Sequence, residues 1–403
     1  MHQNGVGSTR ATKFFMKYKS PILICAAKRT PIGSMQGVLS EIPSTELGAL
    51  LIQTIMSQLI IPNDSIDQVI LGCVLTAGLG QAPARQATIK GGLSNRTNSF
   101  TINKVCSSGL KAITLAANEI ELGAAEAIIA GGMENMSLSP YLLPKLRTGA
   151  KLGNATAEDS IIKDGLWDVY NNFHMGNCAE ILAKKYNFSR EEQDAFALQS
   201  YDRAASAIAS GKFAAQIVPV KTKAGEITTD EEVGKLKREK VSQLKPVFDK
   251  AGSVTAANAS SISDGAAVVL VCSEDYAKKY NLTPLAKIIA HNSHSQEPEL
   301  FGIAPVEAVK KVLADVGNPE IDLFEINEAF ASVALSCQKE LGIDSAKLNV
   351  NGGAVALGHP IGASGSRILV SLIHELNRIK GKFGVAAICN GGGEATAVVV
   401  ERV

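Results

Sequence analysis

Asn103-Lys104-Val105-Cys106-Ser107-Ser108-Gly109 joins a short apolar run at 101–105 to an amphipathic segment at 109–122, which leads into Ala127-Ile128-Ile129-Ala130-Gly131-Gly132. The same plan returns near the C-terminus. Asn351 precedes a turn holding His359, an amphipathic segment follows at 364–376, and then comes Ala386-Ala387-Ile388-Cys389-Asn390-Gly391-Gly392. Two strand–turn–helix–strand units, each with a reactive residue type in its turn, read as two similar α/β halves.

Outward from these turns, strand-like runs at 21–27, 65–74, 126–130, 284–290, 323–326 and 384–389 alternate with helical patterns at 45–59, 109–122, 305–314 and 364–376. In the second helix Leu110, Ile113, Ala117 and Ile120 form one stripe. This rhythm predicts an α/β protein with parallel sheets. The middle departs from it. Residues 137–153 are loop-like, 176–185 and 190–210 are helical, and 221–245 are charged without strong periodicity. The expected division is a tail or transit segment at 1–20, an N-terminal half at 21–136 plus 263–283, an inserted loop domain at 137–262, and a C-terminal half at 284–403.

The 403 residues are 46% hydrophobic, enough for a large core and against disorder. Lys+Arg is 40 and Asp+Glu 39, which gives no reason to expect nucleic acid or an anionic membrane as the main partner. The longest apolar run, 266–272, is too short to span a bilayer. Seven scattered cysteines without CxxC pairs suit free thiols in a reducing compartment. Residues 1–20 carry Arg10, Lys13, Lys17 and Lys19 and no acid, which fits either a mitochondrial transit peptide or a disordered tail.

Cys106 stands where a strand turns into a helix. The free N–H groups and dipole of a helix start favour a thiolate, and the small residues after it admit a substrate. The competing reading is a buried apolar cysteine. His359 lies in the glycine-dense stretch 352–365. The glycine spacing there is wrong for a dinucleotide fingerprint, which leaves a base for a cysteine or a structural histidine. Cys389 ends a strand and enters three glycines, as a reactive thiol or as part of a tight turn. Glu325-Ile326-Asn327-Glu328 puts polar groups where a strand gives way to a helix, for chemistry or for capping.

Together and in this order, these motifs resemble the thiolase family over about residues 21–403. Arg29-Thr30-Pro31-Ile32-Gly33, Gly131-Gly132-Met133-Glu134, His174-Met175-Gly176, Asn258-Ala259-Ser260, Asn327-Glu328-Ala329-Phe330 and Gly358-His359-Pro360 extend the resemblance. It implies duplicated βαβαβαββ halves in a layered αβαβα core with an inserted loop domain. It also implies Cys106 as the nucleophile, His359 as its base, and Cys389 as a second acid–base group. Asn327 would hold a water that forms one oxyanion hole with His359, and the N–H groups of Cys106 and Gly391 would form the other. His174, Met175, Lys235, Phe248, Ser260, Ala329 and Phe330 would contact coenzyme A, with Arg238 a further phosphate candidate. For Met175 and Phe248 core packing is the alternative, and for the run at 235–240 a solvated face.

Within the family the resemblance is greatest to short-chain forms that cleave acetoacetyl-CoA or condense two acetyl-CoA, and among these to the potassium-responsive mitochondrial form. That implies a homotetramer, no prosthetic group, coenzyme A as substrate and product, and a potassium site at Tyr201, Ala256, Ala257, Ser260 and Val355. Two positions depart from the pattern. Glu394 stands where many relatives have Gly or Met. Phe301-Gly302 replaces Phe-Pro, and is expected to leave a freer loop that tolerates a 2-methyl branch. The rival readings are a degradative 3-ketoacyl-CoA thiolase, a ketoacyl synthase, and a non-catalytic lipid carrier. Cys389 argues against the synthase, which uses a second histidine.

Overall fold

In the computed structural model Tyr18 and residues 20–403 are described. The transit-segment expectation for 1–20 therefore falls almost wholly outside the described residues. The N-terminal half supplies β1 (Ile22–Arg29), α1 (Ser44–Leu59), β2 (Gln68–Gly72), α2 (Pro83–Lys90), β3 (Asn98–Ile102), α3 (Ser108–Glu121), β4 (Ala127–Asn135) and β5 (Ser263–Ser273). The C-terminal half supplies β6 (Ala286–Ser295), α4 (Ala304–Asp315), β7 (Leu323–Ile326), α5 (Ala331–Leu341), α6 (Ser364–Ile379), β8 (Phe383–Asn390) and β9 (Glu394–Arg402).

The strand order β7-β8-β9-β6-β1-β5-β4-β2-β3 is two copies of one pattern set end to end. In the first, β1 pairs with β5, β5 with β4, β4 with β2 and β2 with β3. In the second, β6 pairs with β9, β9 with β8 and β8 with β7, and the expected third strand survives only as the bridge between Phe324 and Leu348. The equivalent strands β1 and β6 join antiparallel, with Ile22 opposite Ile288 and Ile24 opposite Ala286.

Side-chain alternation along these strands makes the layers. On β5, Ala267, Val269 and Val271 face a central core, while Val268, Leu270 and Cys272 face an outer one with Leu47, Leu51 and Ile55 of α1. On β9, Val398 and Val400 face the same central core, and Ala397 and Val399 face outward onto Val306, Val309 and Val312 of α4. The central core holds Leu110, Ile113 and Ala117 of α3 and Ile368, Leu369 and Leu372 of α6. One helix from each half thus lies between the two parts of the sheet, giving the five layers αβαβα.

The expectation of parallel sheets is corrected. Among the described residues of the main sheet, β2–β3, β2–β4 and β7–β8 are parallel, while β1–β5, β5–β4, β1–β6, β6–β9 and β9–β8 are antiparallel. The reason is that β5 and β9 each start beside the end of the strand before them, β4 and β8, instead of crossing back to its beginning. Several expected bounds also shift. The strand placed at 101–105 lies at Asn98–Ile102, and the helix placed at 109–122 lies at Ser108–Glu121. Residues 136–262 add no strand to the main sheet. They form small hairpins, a π-helical turn (Ile161–Leu166) and two longer helices, α7 (Met175–Tyr186) and α8 (Arg190–Ala209). The side chain of Ser189 caps α8 in a reciprocal capping box with Glu192. The charged stretch 221–245 becomes a short hairpin and two 3-10 turns. Buried Arg29 ties this region to β1 by donating to Asp230 Oδ1 at 2.7 Å and Oδ2 at 2.9 Å, and to Gln216 Oε1 at 2.8 Å.

Candidate active site

The turn before α3 is forced. Val105, a β-branched residue, sits at φ 46°, a conformation such residues rarely adopt. The turn is held by the Val105 N–H donating to Asn103 Oδ1 at 2.9 Å and the Lys104 N–H donating to Ser108 Oγ at 2.8 Å. Ser107 Oγ donates to Ile388 O at 3.2 Å, which ties the turn to the strand carrying Cys389. Cys106 therefore sits at the start of α3 with its own backbone N–H and that of Gly391 both directed at its sulfur.

His359 comes from the other half. Gly358, at φ 103°, brings the backbone so close to Ser263 that a Cβ would lie 2.3 Å from its Oγ. The His359 N–H donates to Ser261 O at 3.0 Å. Its ring is fixed by Ser364. Ser364 Oγ donates to Pro360 O at 2.9 Å and lies 2.5 Å from His359 Nδ1, so it must accept there. Nδ1 then carries the proton, and Nε2, which has no partner among the described residues, is left as a buried base. Asn327 is oriented in the same way. Arg367 Nη2 donates to its Oδ1 at 3.5 Å, and Nδ2 has no partner among the described residues. Two buried polar atoms without partners suit a bound water.

Burial sets the charge state. It pushes the Cys106 thiol up to about 12, against the lowering effect of the Gly391 and Cys106 N–H groups. It pushes His359 down to about 3, helped by the Arg367 guanidinium. The helix start was expected to favour a thiolate, but desolvation outweighs it, so the resting pair is neutral thiol and neutral imidazole. Cys389 is fully buried and its thiol is also raised well above the ordinary value, by desolvation first and then by neighbouring Cys106.

Cys106, His359 and Gly391 line one cavity of about 470 Å³. Its walls include Met175, Phe248, Phe301, Ala329 and Phe330, with His174, Ala256 and Ser260. His174 caps α7, its Nδ1 accepting from Gly176 N–H at 3.0 Å, and stacks on Phe248 at 4.7 Å. Ser260 Oγ donates to Ala329 O at 2.8 Å. Lys235 does not line the cavity and pairs with Glu231 at 2.7 Å, while Arg238 pairs with Asp202. Tyr201 and Val355 pack in one buried cluster, and Ala257 is buried nearby in the chain to Ala256 and Ser260. Burial first, and then Glu232 and Glu328, push the Tyr201 phenol up.

The Gly302 expectation is corrected. A Cβ there would come within 2.7 Å of Leu182 and 2.9 Å of Val333, so this glycine is a tight packing point and not a loosened loop. Sequence reasoning missed Ser364, Arg367, Met136 and the turn residues Ile162, Gly165 and Leu166 that close the cavity. Only Arg367 left a signal, a charge in the first turn of a helix that continues with mostly apolar residues.

A family model described as thiolase, N-terminal domain, matches residues 22–275, and one described as thiolase, C-terminal domain, matches 282–402. The chain is 50% identical over 389 residues to the acetyl-CoA acetyltransferase of Pseudomonas aeruginosa, covering 94% of this chain and 99% of that one. It is 50% identical over 386 residues to the acetyl-CoA acetyltransferase of Yarrowia lipolytica, covering 94% and 96%. A probable acetyl-CoA acetyltransferase of Dictyostelium discoideum is 49% identical over 388 residues, covering 94% of each chain.

Proposed function

The chain belongs to the thiolase family, and from that premise we propose that it is an acetyl-CoA C-acetyltransferase, cleaving acetoacetyl-CoA with coenzyme A or condensing two acetyl-CoA. The observation that carries this is the convergence of Cys106, unpartnered His359 Nε2 and the Gly391 N–H on one apolar cavity. Cys106 Sγ attacks the thioester carbonyl as its proton passes to Nε2. The developing oxyanion is met by the N–H groups of Cys106 and Gly391, where removal of one such donor typically costs about 3 kcal/mol. The C–S bond to coenzyme A breaks, and the departing sulfur takes a proton from Cys389. The Cys389 thiolate so formed removes a proton from the methyl of a second acetyl-CoA, and the carbanion attacks the acyl-cysteine; the C–S bond to Cys106 then breaks and its sulfur takes back the proton held on His359 Nε2. Asn327 Nδ2 and His359 hold the water that stabilises the second thioester oxygen.

His174, Met175, Phe248, Ser260, Ala329 and Phe330 form the wall for the pantetheine arm, and Phe301, Met175 and Phe330 crowd the acyl end. Acetoacetyl-CoA should be the best substrate in a thiolysis assay. A 2-methyl branch should be slowed, since a methylene-sized misfit costs about 1–3 kcal/mol. A long-chain 3-ketoacyl-CoA should be turned over far more slowly. Comparable rates on the long chain would replace this reading with that of a degradative thiolase.

Potassium belongs to the same assay. The carboxylates of Glu232 and Glu328 near Tyr201 make the region electronegative, and a hydroxyl with carbonyl oxygens suits a hard cation. Tyr201 and the carbonyls of Ala256, Ala257, Ser260 and Val355 would hold it, and its charge would stiffen the loop beside Ser260. Thiolysis unchanged between potassium and sodium buffers would count against this site.

The exposed apolar side chains Tyr141, Leu143, Leu146, Val169 and Tyr170 in the inserted region support a homotetramer. Sedimentation should give about four times the 42.3 kDa chain mass, and a stable monomer would overturn the assignment.

A further inference from the structure

Lys104 and Glu394 lie at the two turns that meet at Cys106, and the chemistry above uses neither. Lys104 Nζ donates to Glu394 Oε2 at 2.8 Å, Ser295 Oγ to Glu394 Oε1 at 3.0 Å, and Asn390 Nδ2 to Glu394 Oε2 at 3.4 Å. One carboxylate thus gathers the residue two before Cys106, the end of β6, and the residue that opens the turn 390–393. We propose that Glu394, through Lys104, is a positioning residue that sets the spacing between the Gly391 N–H and Cys106. The proposal rests on reading Cys106 as the nucleophile.

The turn has a particular need for such an anchor. Gly391, Gly392 and Gly393 are consecutive, and the latter two sit at φ 90° and 83°. A triple glycine has the loosest backbone available, yet its first N–H must be held against the sulfur. Within the turn, Asn390 Nδ2 reaches Gly391 O at 2.9 Å and the Gln296 N–H reaches Gly393 O at 2.8 Å. Neither contact ties the turn to the nucleophile's own turn, which lies in the other half of the molecule. Ser107 Oγ holds the nucleophile's turn to Ile388 in the strand before the glycines, and the Lys104–Glu394 pair holds it to the residue after them. Its side chains are 20% and 36% exposed, and a pair that wet contributes little to global stability. Its effect is therefore expected in geometry, where a displacement of about 1 Å can cost a hundredfold in rate.

The test is steady-state thiolysis of acetoacetyl-CoA by Glu394→Ala, Glu394→Gln and Lys104→Met, with Cys106 alkylation by iodoacetamide in parallel. Loss of the carboxylate should lower kcat roughly ten- to a hundredfold with KM within about twofold, because an oxyanion donor acts in the transition state. Alkylation needs no oxyanion hole and should stay within about threefold of wild type. The charge-swapped double variant K104E/E394K should recover about tenfold over either single swap, as coupled partners do. Glu394→Gln preserves shape, so it reports even if Glu394→Ala folds poorly. A kcat within about twofold of wild type in Glu394→Gln, or a swap without recovery, would overturn the proposal. A wild-type protein that is alkylated at Cys106 but does not cleave acetoacetyl-CoA would instead sink the functional reading beneath it.

Discussion

Replacing Cys106 with alanine should abolish thiolysis and condensation together, by at least about 10⁴-fold, the scale seen when a covalent nucleophile is removed. Both directions pass through an acyl group on this sulfur, which lines the cavity. Retention of more than a few per cent of wild-type turnover would defeat the assignment. A second readout separates chemistry from folding. The folded thiol is raised to about 12, well above the roughly 8.5 of a free cysteine. A raised thiol contributes stability that is fully present below the unfolded value and is lost as pH climbs toward the folded one. Above about pH 8.5, Cys106 therefore removes about 1.4 kcal/mol of stability per pH unit, as linkage requires. Thermal melts should show Tm falling less steeply between about pH 8.5 and 10.5 in Cys106→Ala than in wild type. Parallel slopes would mean that the sulfur is not held as a neutral thiol.

Cys389→Ala should separate the two half-reactions. Acid–base groups at carbon contribute about 10²–10⁴-fold, and condensation should fall by that order. Acylation loses the proton donor at the departing sulfur and should slow, but Cys106, His359 and the Gly391 N–H remain and a thiolate can leave unprotonated. The acetyl-Cys106 adduct should therefore still accumulate and be visible by mass spectrometry. Removing one sulfur from a fully buried position leaves a small cavity and should not prevent folding. Condensation near the wild-type rate would show that a single cysteine suffices.

The long apolar strands and the two central helices were legible because each carries a strong period, and their burial follows from it. What escaped was set by context. β3 begins with Asn98-Ser99 and lies at the sheet edge, paired with β2, so its polar start carried no strand signal and the strand was expected three residues too late, at 101–105. α2 packs through Ala84 and Ala87, too small to show a stripe. In the site, Cys106, His359 and Cys389 announced themselves through their glycine and serine neighbours. Ser364 did not, because a serine in a small-residue helix start looks like packing until its hydroxyl is found between Pro360 O and His359 Nδ1. Glu394 had no explanation in sequence because Lys104, Ser295 and the carboxylate meet only in the folded chain. Gly302 misled, since a glycine in Phe301-Gly302 suggests looseness and only Leu182 and Val333 reveal the tight fit.

The nucleophile belongs to one half of the duplicated fold and its base to the other, and their two helices meet where Gly109 and Gly365 let backbones nearly touch. A Cβ on Gly109 would lie 2.9 Å from Ser366 N, and one on Gly365 would lie 2.6 Å from Leu110 N. Neither half alone holds a working set of groups. Catalytic competence is therefore a late event in the life of a newly made chain, reached only when contacts distant in sequence have closed. A partly folded molecule buries much of its apolar surface yet keeps its thiol without a partner base. Acylation thus waits on the joining of the two halves, since neither supplies both the sulfur and its base.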